Sequence, residues 1–307
     1  MASLREIRRK IQSVKSTQQI TRAMKMVAAA RMRKAQSGIL DSRPFAVKME
    51  GTVSELAALE LEAGTLGATC VCARRFFGIP APEGAAPEAG AAGLLLVTAD
   101  KGLCGAFNAN LLRAALRWIR NQQGRRIAAA AVGRKGREFL RRISDLDIEF
   151  LTELTGIFPK VSFAHAELVA KPLLERFQSG ELASLTVIFT EFRSVASRQV
   201  VVRQFLPIPV PPRAARADLP DFGFRYEPAQ DQLLAAILPR YAKAQLYRIL
   251  LESQAAELAA RMEAMEAATK NAEDLLGNLT LTLNRTRQAI ITGELMEIVG
   301  GAEALSG

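Results

Sequence analysis

No stretch of the 307-residue chain is apolar for long enough to cross a bilayer, since even "GLLLVTA" and "SLTVIFTEF" fall well short of the roughly 20 residues a spanning helix needs. Nor is a secretory signal visible in it, because Arg5, Glu6, Arg8, Arg9 and Lys10 break up any apolar core near the start. The expectation is a soluble, intracellular protein. Cysteine is scarce: Cys70, Cys72 and Cys104 are too few for a disulfide scaffold in a chain this long. The Cys-x-Cys pair has no second pair and no neighbouring histidine, so it reads as two thiols in a loop rather than a metal site. Histidine occurs once, as His165 in the helical "FAHAELVAK". No paired carboxylates and no metal-ligand cluster accompany it, so the sequence does not look like that of an enzyme acting by itself, and no cofactor or metal is expected. Aromatic residues make up only 6% of the chain against 49% hydrophobic, which excludes a typical all-β protein and favours helices built on Ala, Leu and Met.

What the chain does have is positive charge, formally +10, which implies attraction to nucleic acid, an anionic membrane or an acidic protein. Between Ile7 and Leu40 there is no acidic residue at all. Along that run Ile7, Ile11, Val14, Gln18, Thr21, Lys25, Ala28, Met32 and Ala35 recur at steps of four and three, a heptad seam softened by polar members. The helix can continue past Pro44, bending there, to about Leu59. After Pro239 there is no proline through Leu305, and Leu258, Met262, Met265, Thr269, Ala272, Leu276, Leu279, Leu283, Thr286 and Ile290 repeat the same spacing. Between the two lie a Gly-, Pro- and Ala-rich stretch and short β-like runs alternating with helices, the pattern of a compact α/β domain with a largely parallel sheet and a terminal antiparallel hairpin. The expected organisation is an N-terminal coiled-coil helix over 1–59, a linker over 60–92, an α/β domain over 93–212, a connection over 213–238 and a C-terminal coiled-coil helix over 239–307. Pairing the long helices antiparallel covers both seams. It leaves ~20 residues, about 30 Å, of the second helix without a partner. Those residues include Ile290, Ile291, Leu295, Met296, Ile298 and Val299, which a partner must enclose unless the tail folds back on the α/β domain or frays.

The loop "TADKGLCGAFN" sits between a strand and a helix, where an α/β protein would cradle a phosphate, yet it has neither the GxGxxG spacing nor a P-loop ending. A tight turn built on Gly102 and Gly105 is the expected reading. Cys104 lacks a base to activate it. Nucleic-acid binding by a basic coiled coil is the alternative function. Against it, the second helix carries Glu252, Glu257, Glu263, Glu266, Glu273 and Asp274, and no aromatics alternate with the basic residues as a stacking surface requires.

Four blocks, "IRRKIQSVKSTQQITRAMKMVAAARMRKAQ", "TADKGLCGAFNANL", "FRYEP" and "AARMEAMEAATKNAEDLL…NRTRQAIITGELMEIVGGA", in that order, resemble the gamma subunit, or central stalk, of the F-type rotary ATP synthases. The resemblance implies an antiparallel coiled coil standing inside a ring of three alpha and three beta subunits, with a Rossmann-like α/β domain that meets the epsilon subunit and the membrane rotor ring of c subunits. Ion flow through the membrane would turn this shaft, which carries no catalytic residue of its own, and any membrane contact would be made through the complex. The resemblance assigns Met24, Arg261, Arg287, Gln288 and Thr292 to the alpha/beta ring. Arg261, Arg287 and Gln288 would hydrogen-bond its acidic loops, and Met24 would pack between the paired helices and the ring. Phe224, Tyr226 and Glu227 correspond to positions facing the rotor ring. The family start without a transit peptide implies a peripheral protein on the cytoplasmic face of a bacterial plasma membrane. Leu258 stands where the family has a polar residue, and Leu283 where it often has Tyr.

Overall fold

The computed structural model describes residues 3–62, 71–79, 90–122, 124–143, 148–158, 160–209 and 230–306. It contains two long helices, α1 (Leu4–Glu62) and α6 (Gln230–Ser306), and between them a mixed sheet with its flanking helices. The chain divides into two compact units, Met1–Ala30 with Arg261–Gly307, and Arg31–Ala260.

The first unit is an antiparallel helix pair. Thr21 Oγ1 and Thr269 Oγ1 lie 2.8 Å apart, and Lys25 Nζ donates to Glu266 Oε1 at 2.7 Å. Among the seam positions of this unit, Ile7, Thr21, Ala28, Met265 and Ala272 are buried, and the others up to Thr286 are half-buried. Thr and Ala at the crossing points keep side chains short, so the helices approach closely, and the Thr–Thr bond satisfies the polar atoms that the soft seam introduces.

The second unit holds a five-stranded sheet ordered β3-β2-β1-β4-β5. The strands are β1 (Ala91–Val97), β2 (Ile127–Val132), β3 (Ile148–Leu154), β4 (Leu182–Phe192) and β5 (Arg198–Leu206). The first four pair in parallel and β4 pairs with β5 antiparallel, as the alternation of runs implies. Strand β2, "IAAAAV", is wholly buried even though alanine is a poor strand former. Burial on both faces of a parallel sheet overrides that propensity, and the small side chains let helices lie close.

One sheet face packs Leu95, Val97, Ala128 and Ala130 against α5 (Phe163–Ser179), the lower part of α1 and the start of α6. The other packs Leu94, Leu96, Ala129 and Ala131 under α3 (Phe107–Asn121) and α4 (Arg134–Leu140). This division follows from the crossovers: moving from β1 to β2 to β3 in one direction with right-handed turns puts α3 and α4 on one side, and returning from β3 to β4 puts α5 on the other.

The structure departs from the sequence reading in two places. The Gly-, Pro- and Ala-rich stretch is not wholly a linker, since α2 (Val71–Phe76) forms within it and Phe76 and Phe77 enter the core, Phe76 meeting the Phe177 ring edge-on at 5.7 Å. Arg75 holds this segment down by donating to the carbonyls of Phe177 and Gln178 at the end of α5. Helix α6 begins at Gln230 rather than 239 and runs through Pro239. A proline inside a helix costs ~3 kcal/mol, which the burial of Leu234 and Leu238 offsets, each worth about 1.5–3 kcal/mol. Cys70 lies outside the described residues.

Candidate partner-binding site

The first unit carries all five residues that the resemblance assigns to a surrounding ring. The register that sets residue 21 opposite 269 brings Leu4, the first helical residue, level with about Thr286. From Arg287 onward every described residue of α6 is exposed, with Ile290 42%, Met296 68% and Ile298 69% accessible. About 20 helical residues, on the order of 30 Å, therefore have no partner helix. At 100° per residue the apolar side chains do not form one stripe. Ile291, Leu295, Ile298 and Val299 share a broad face, while Ile290 and Met296 point well away from it. A single groove would cover one face only, so the stretch suits a partner that surrounds it.

Arg287, Gln288 and Thr292 stand at the base of this unpartnered stretch and are exposed. Met24 and Arg261 are half-buried in the paired region. Arg261 and Arg287 are 26 positions apart on one helix, about 39 Å, so the residues form two levels along the pair rather than one pocket. Phe224, Tyr226 and Glu227 lie outside the described residues.

The remaining candidates have structural work. Loop residues Thr98 to Asn108 are a latch rather than a phosphate cradle. Thr98 Oγ1 donates to the Val132 carbonyl at 3.2 Å and accepts from the Gly136 N–H at 2.7 Å. Asp100 Oδ1 accepts from the Arg134 N–H at 3.1 Å, and Asn108 Oδ1 accepts from the Ala99 N–H at 3.0 Å. The N–H groups of Ala99, Arg134 and Gly136 are thus taken by the protein itself. The turn uses positive φ at Leu103 (63°) and Gly105 (57°), not at Gly102. Gly133 is required for a different reason: with φ of 92°, a Cβ there would collide with the Thr98 carbonyl.

Cys104 is buried, its Sγ accepting from Asn108 Nδ2 at 3.2 Å. His165 is the third residue of α5, and its Nδ1 accepts from the Ser162 N–H at 3.1 Å, closing a capping box. The histidine is a helix cap, a role readable from its place three residues after Ser162. No group of His, Cys, Asp and Glu among the described residues could hold a metal ion. None of their helices is long and apolar enough to cross a membrane.

Sequence reasoning missed the burial of polar side chains in α6 where it passes through the second unit. Residues 249–260 are buried all round and include Glu252, Ser253, Gln254 and Glu257. Gln254 Nε2 donates to the Phe158 carbonyl at 3.1 Å, and Arg248 Nε donates to Glu252 Oε1 at 2.9 Å. Burial raises the Glu252 carboxyl above the usual range despite Arg248. Leu258 is buried too, which explains a leucine where a polar residue was expected.

The comparisons agree with one another. A family model described as ATP synthase matches residues 3–305. The chain is 43% identical to the ATP synthase gamma chain of Anaeromyxobacter sp. (strain K) over 308 residues, covering 99% of this chain and 100% of that one. It is 42% identical to the gamma chain of Moorella thermoacetica over 306 residues, with the same coverage. Among solved structures, the central stalk and c-ring of the Tetrahymena thermophila mitochondrial ATP synthase contains a chain 28% identical, with a TM-score of 0.56, covering 81% of this chain and 99% of that one. A chain of the Euglena gracilis mitochondrial enzyme, 18% identical with a TM-score of 0.62, covers 98% of this chain and 94% of that one and shares the fold.

Proposed function

The chain belongs to the ATP synthase gamma-chain family, and from that premise we infer that it is the central rotor shaft of an F-type ATP synthase, carrying torque between a membrane rotor ring and the catalytic sites of an alpha/beta hexamer. The observation that carries the mechanical reading is the 20-residue unpartnered end of α6, apolar on several sides. A shaft turning past three like partners cannot interlock deeply with any one of them. Small and flexible side chains such as Met24, Met26, Ala29 and Ala30 suit a sliding surface, and charged contacts worth ~1 kcal/mol or less each can mark preferred angles and be exchanged.

Arg287 and Gln288 present exposed donors to acidic loops of the ring. Arg261, half-buried in the paired region, offers its guanidinium to the same loops at a lower level of the shaft. Met24 packs at the rim of the paired helices, and Thr292 lies one helical turn beyond Gln288. Phe224, Tyr226 and Glu227 face the ring of c subunits, and the epsilon subunit binds the α/β domain. The protein is a non-catalytic subunit held on the cytoplasmic face of a bacterial membrane through its complex. The relatives named are ATP synthase subunits, and none of them supports the nucleic-acid alternative.

The test is affinity purification of the tagged chain from its host. One copy should emerge with three alpha and three beta subunits, and deleting 287–307 should weaken torque or assembly. Recovery of the chain without an alpha/beta hexamer refutes the reading.

A further inference from the structure

Residues 107–143 hold ten Arg and Lys against one acid, Glu138, a net +9, so the rest of the chain, its basic first helix included, sums to only +1. These residues form α3, β2 and α4, and the two helices lie side by side over one face of the sheet. Arg113, Arg117 and Arg120, at steps of four and three, share the outer side of α3 and are exposed, as are Arg125 in the following turn and Arg142 after α4. Acids answer only the edge of this field. Glu149 approaches Arg126 at 3.9 Å, Glu153 pairs with Arg141 at 3.0 Å, and Glu138 pairs with Lys135 at 3.1 Å. Among the described residues no carboxylate lies within ion-pair distance of Arg113, Arg117, Arg120, Arg125 or Arg142.

A cluster this large and this unbalanced repels itself, a cost that a partner rich in negative charge would remove. We propose that the outer face of α3 and α4 is an electrostatic docking surface for an anionic lipid bilayer. Three considerations favour lipid over an acidic protein or nucleic acid. Two helices side by side present a broad face, and Trp118, half-buried, is the one aromatic among the arginines of α3, too few for a base-stacking surface. A rotor bound to an acidic protein of the stator would stall, whereas laterally mobile lipid headgroups attract it without fixing an angle. Finally, a chain that works beside a membrane rotor ring meets the bilayer at high effective concentration. This last point rests on the rotor reading.

The single tryptophan of the chain, Trp118, lies half-buried on α3 between Arg117 and Arg120 and reports on this face alone. The full-length protein is titrated with vesicles of phosphatidylcholine containing phosphatidylglycerol, and with phosphatidylcholine vesicles, polyglutamate and duplex DNA in parallel, following Trp118 emission. The expected result is a response to the anionic vesicles that exceeds those to polyglutamate and DNA, is absent with phosphatidylcholine, and falls steeply with salt. At about fivefold per charge, Arg113→Gln, Arg117→Gln, Arg120→Gln and Arg125→Gln together weaken binding on the order of 500-fold. The corresponding lysine substitutions retain it, and so does neutralising Arg8, Arg9 and Lys10. Equal binding by the glutamine variant at unchanged circular dichroism, or a stronger response to polyglutamate or DNA, overturns the proposal. Neither outcome bears on the rotor reading, which the co-purification decides.

Discussion

Replacing Ile291 and Ile298 by aspartate separates folding from assembly. These residues share one side of the unpartnered stretch of α6 and are 49% and 69% accessible, so neither supports the fold of the isolated chain. The cost to the isolated helix is limited to propensity, about 0.5 kcal/mol per substitution. Enclosure in an apolar partner changes the balance. Completing the burial of a half-exposed isoleucine is worth about 1 kcal/mol, scaled from 1.5–3 for the whole side chain. An aspartate in its place forfeits that and leaves a carboxylate without a partner, at a cost of several kcal/mol. Two such changes should weaken assembly by at least a thousandfold, while alanine at the same positions should cost only about tenfold. Thermal unfolding by circular dichroism measures the first effect, and reconstitution with alpha and beta subunits, read as ATPase activity and complex yield, measures the second. If the double aspartate variant assembles as well as the parent, the apolar end of α6 is not enclosed and the mechanical reading fails.

Other consequences follow from the second unit. Thr98→Val keeps the shape of a wholly buried residue but strands the Gly136 N–H and weakens the Val132 acceptor, so urea unfolding should show a loss of roughly 2–4 kcal/mol. Burial and then the Glu50 carboxylate push the Tyr241 phenol up to about 12. A raised pKa in the folded state means that its contribution is complete below pH 10 and is lost as pH rises towards 12, by no more than ~2 kcal/mol given its partial exposure. Absorbance titration should show a late phenolate step that Tyr241→Phe removes. Glu252, raised by burial, costs stability when charged, so Glu252→Gln should gain on the parent as pH rises above the ordinary carboxylate range and lose that advantage in acid, as judged from urea midpoints across pH.

Much of the architecture was legible because it is written in local periodicity. The seam positions from Ile7 to Ala28 and from Met262 to Thr286 are buried or half-buried as their spacing requires, and Ile290 is the first to emerge. The reason is that a heptad pattern has one way to hide its apolar positions. The antiparallel hairpin of β4 and β5 was similarly readable from two β-rich runs joined by "RSVAS". The contact residues for a surrounding ring came from resemblance and not from chemistry, because Met24 and Thr292 are ordinary side chains whose roles depend on a second molecule. Phe76 and Phe77 were lost in a stretch rich in Gly, Pro and Ala, where composition masks two aromatic anchors.

By itself, the sequence determined that two long helices must cover each other, that one must outrun the other, and that an α/β sheet lies between them in the chain. Repeating patterns of small period encode such features, and each residue carries its share of the signal. Only the tertiary structure decided that Thr98 and Asp100 latch the loop at β1 to α4, and that Glu252 and Gln254 lie buried within α6. Those roles belong to pairs far apart in the chain or to backbone groups of a turn. Their energy comes from polar atoms meeting where water is excluded, and no run of neighbouring residues announces that meeting.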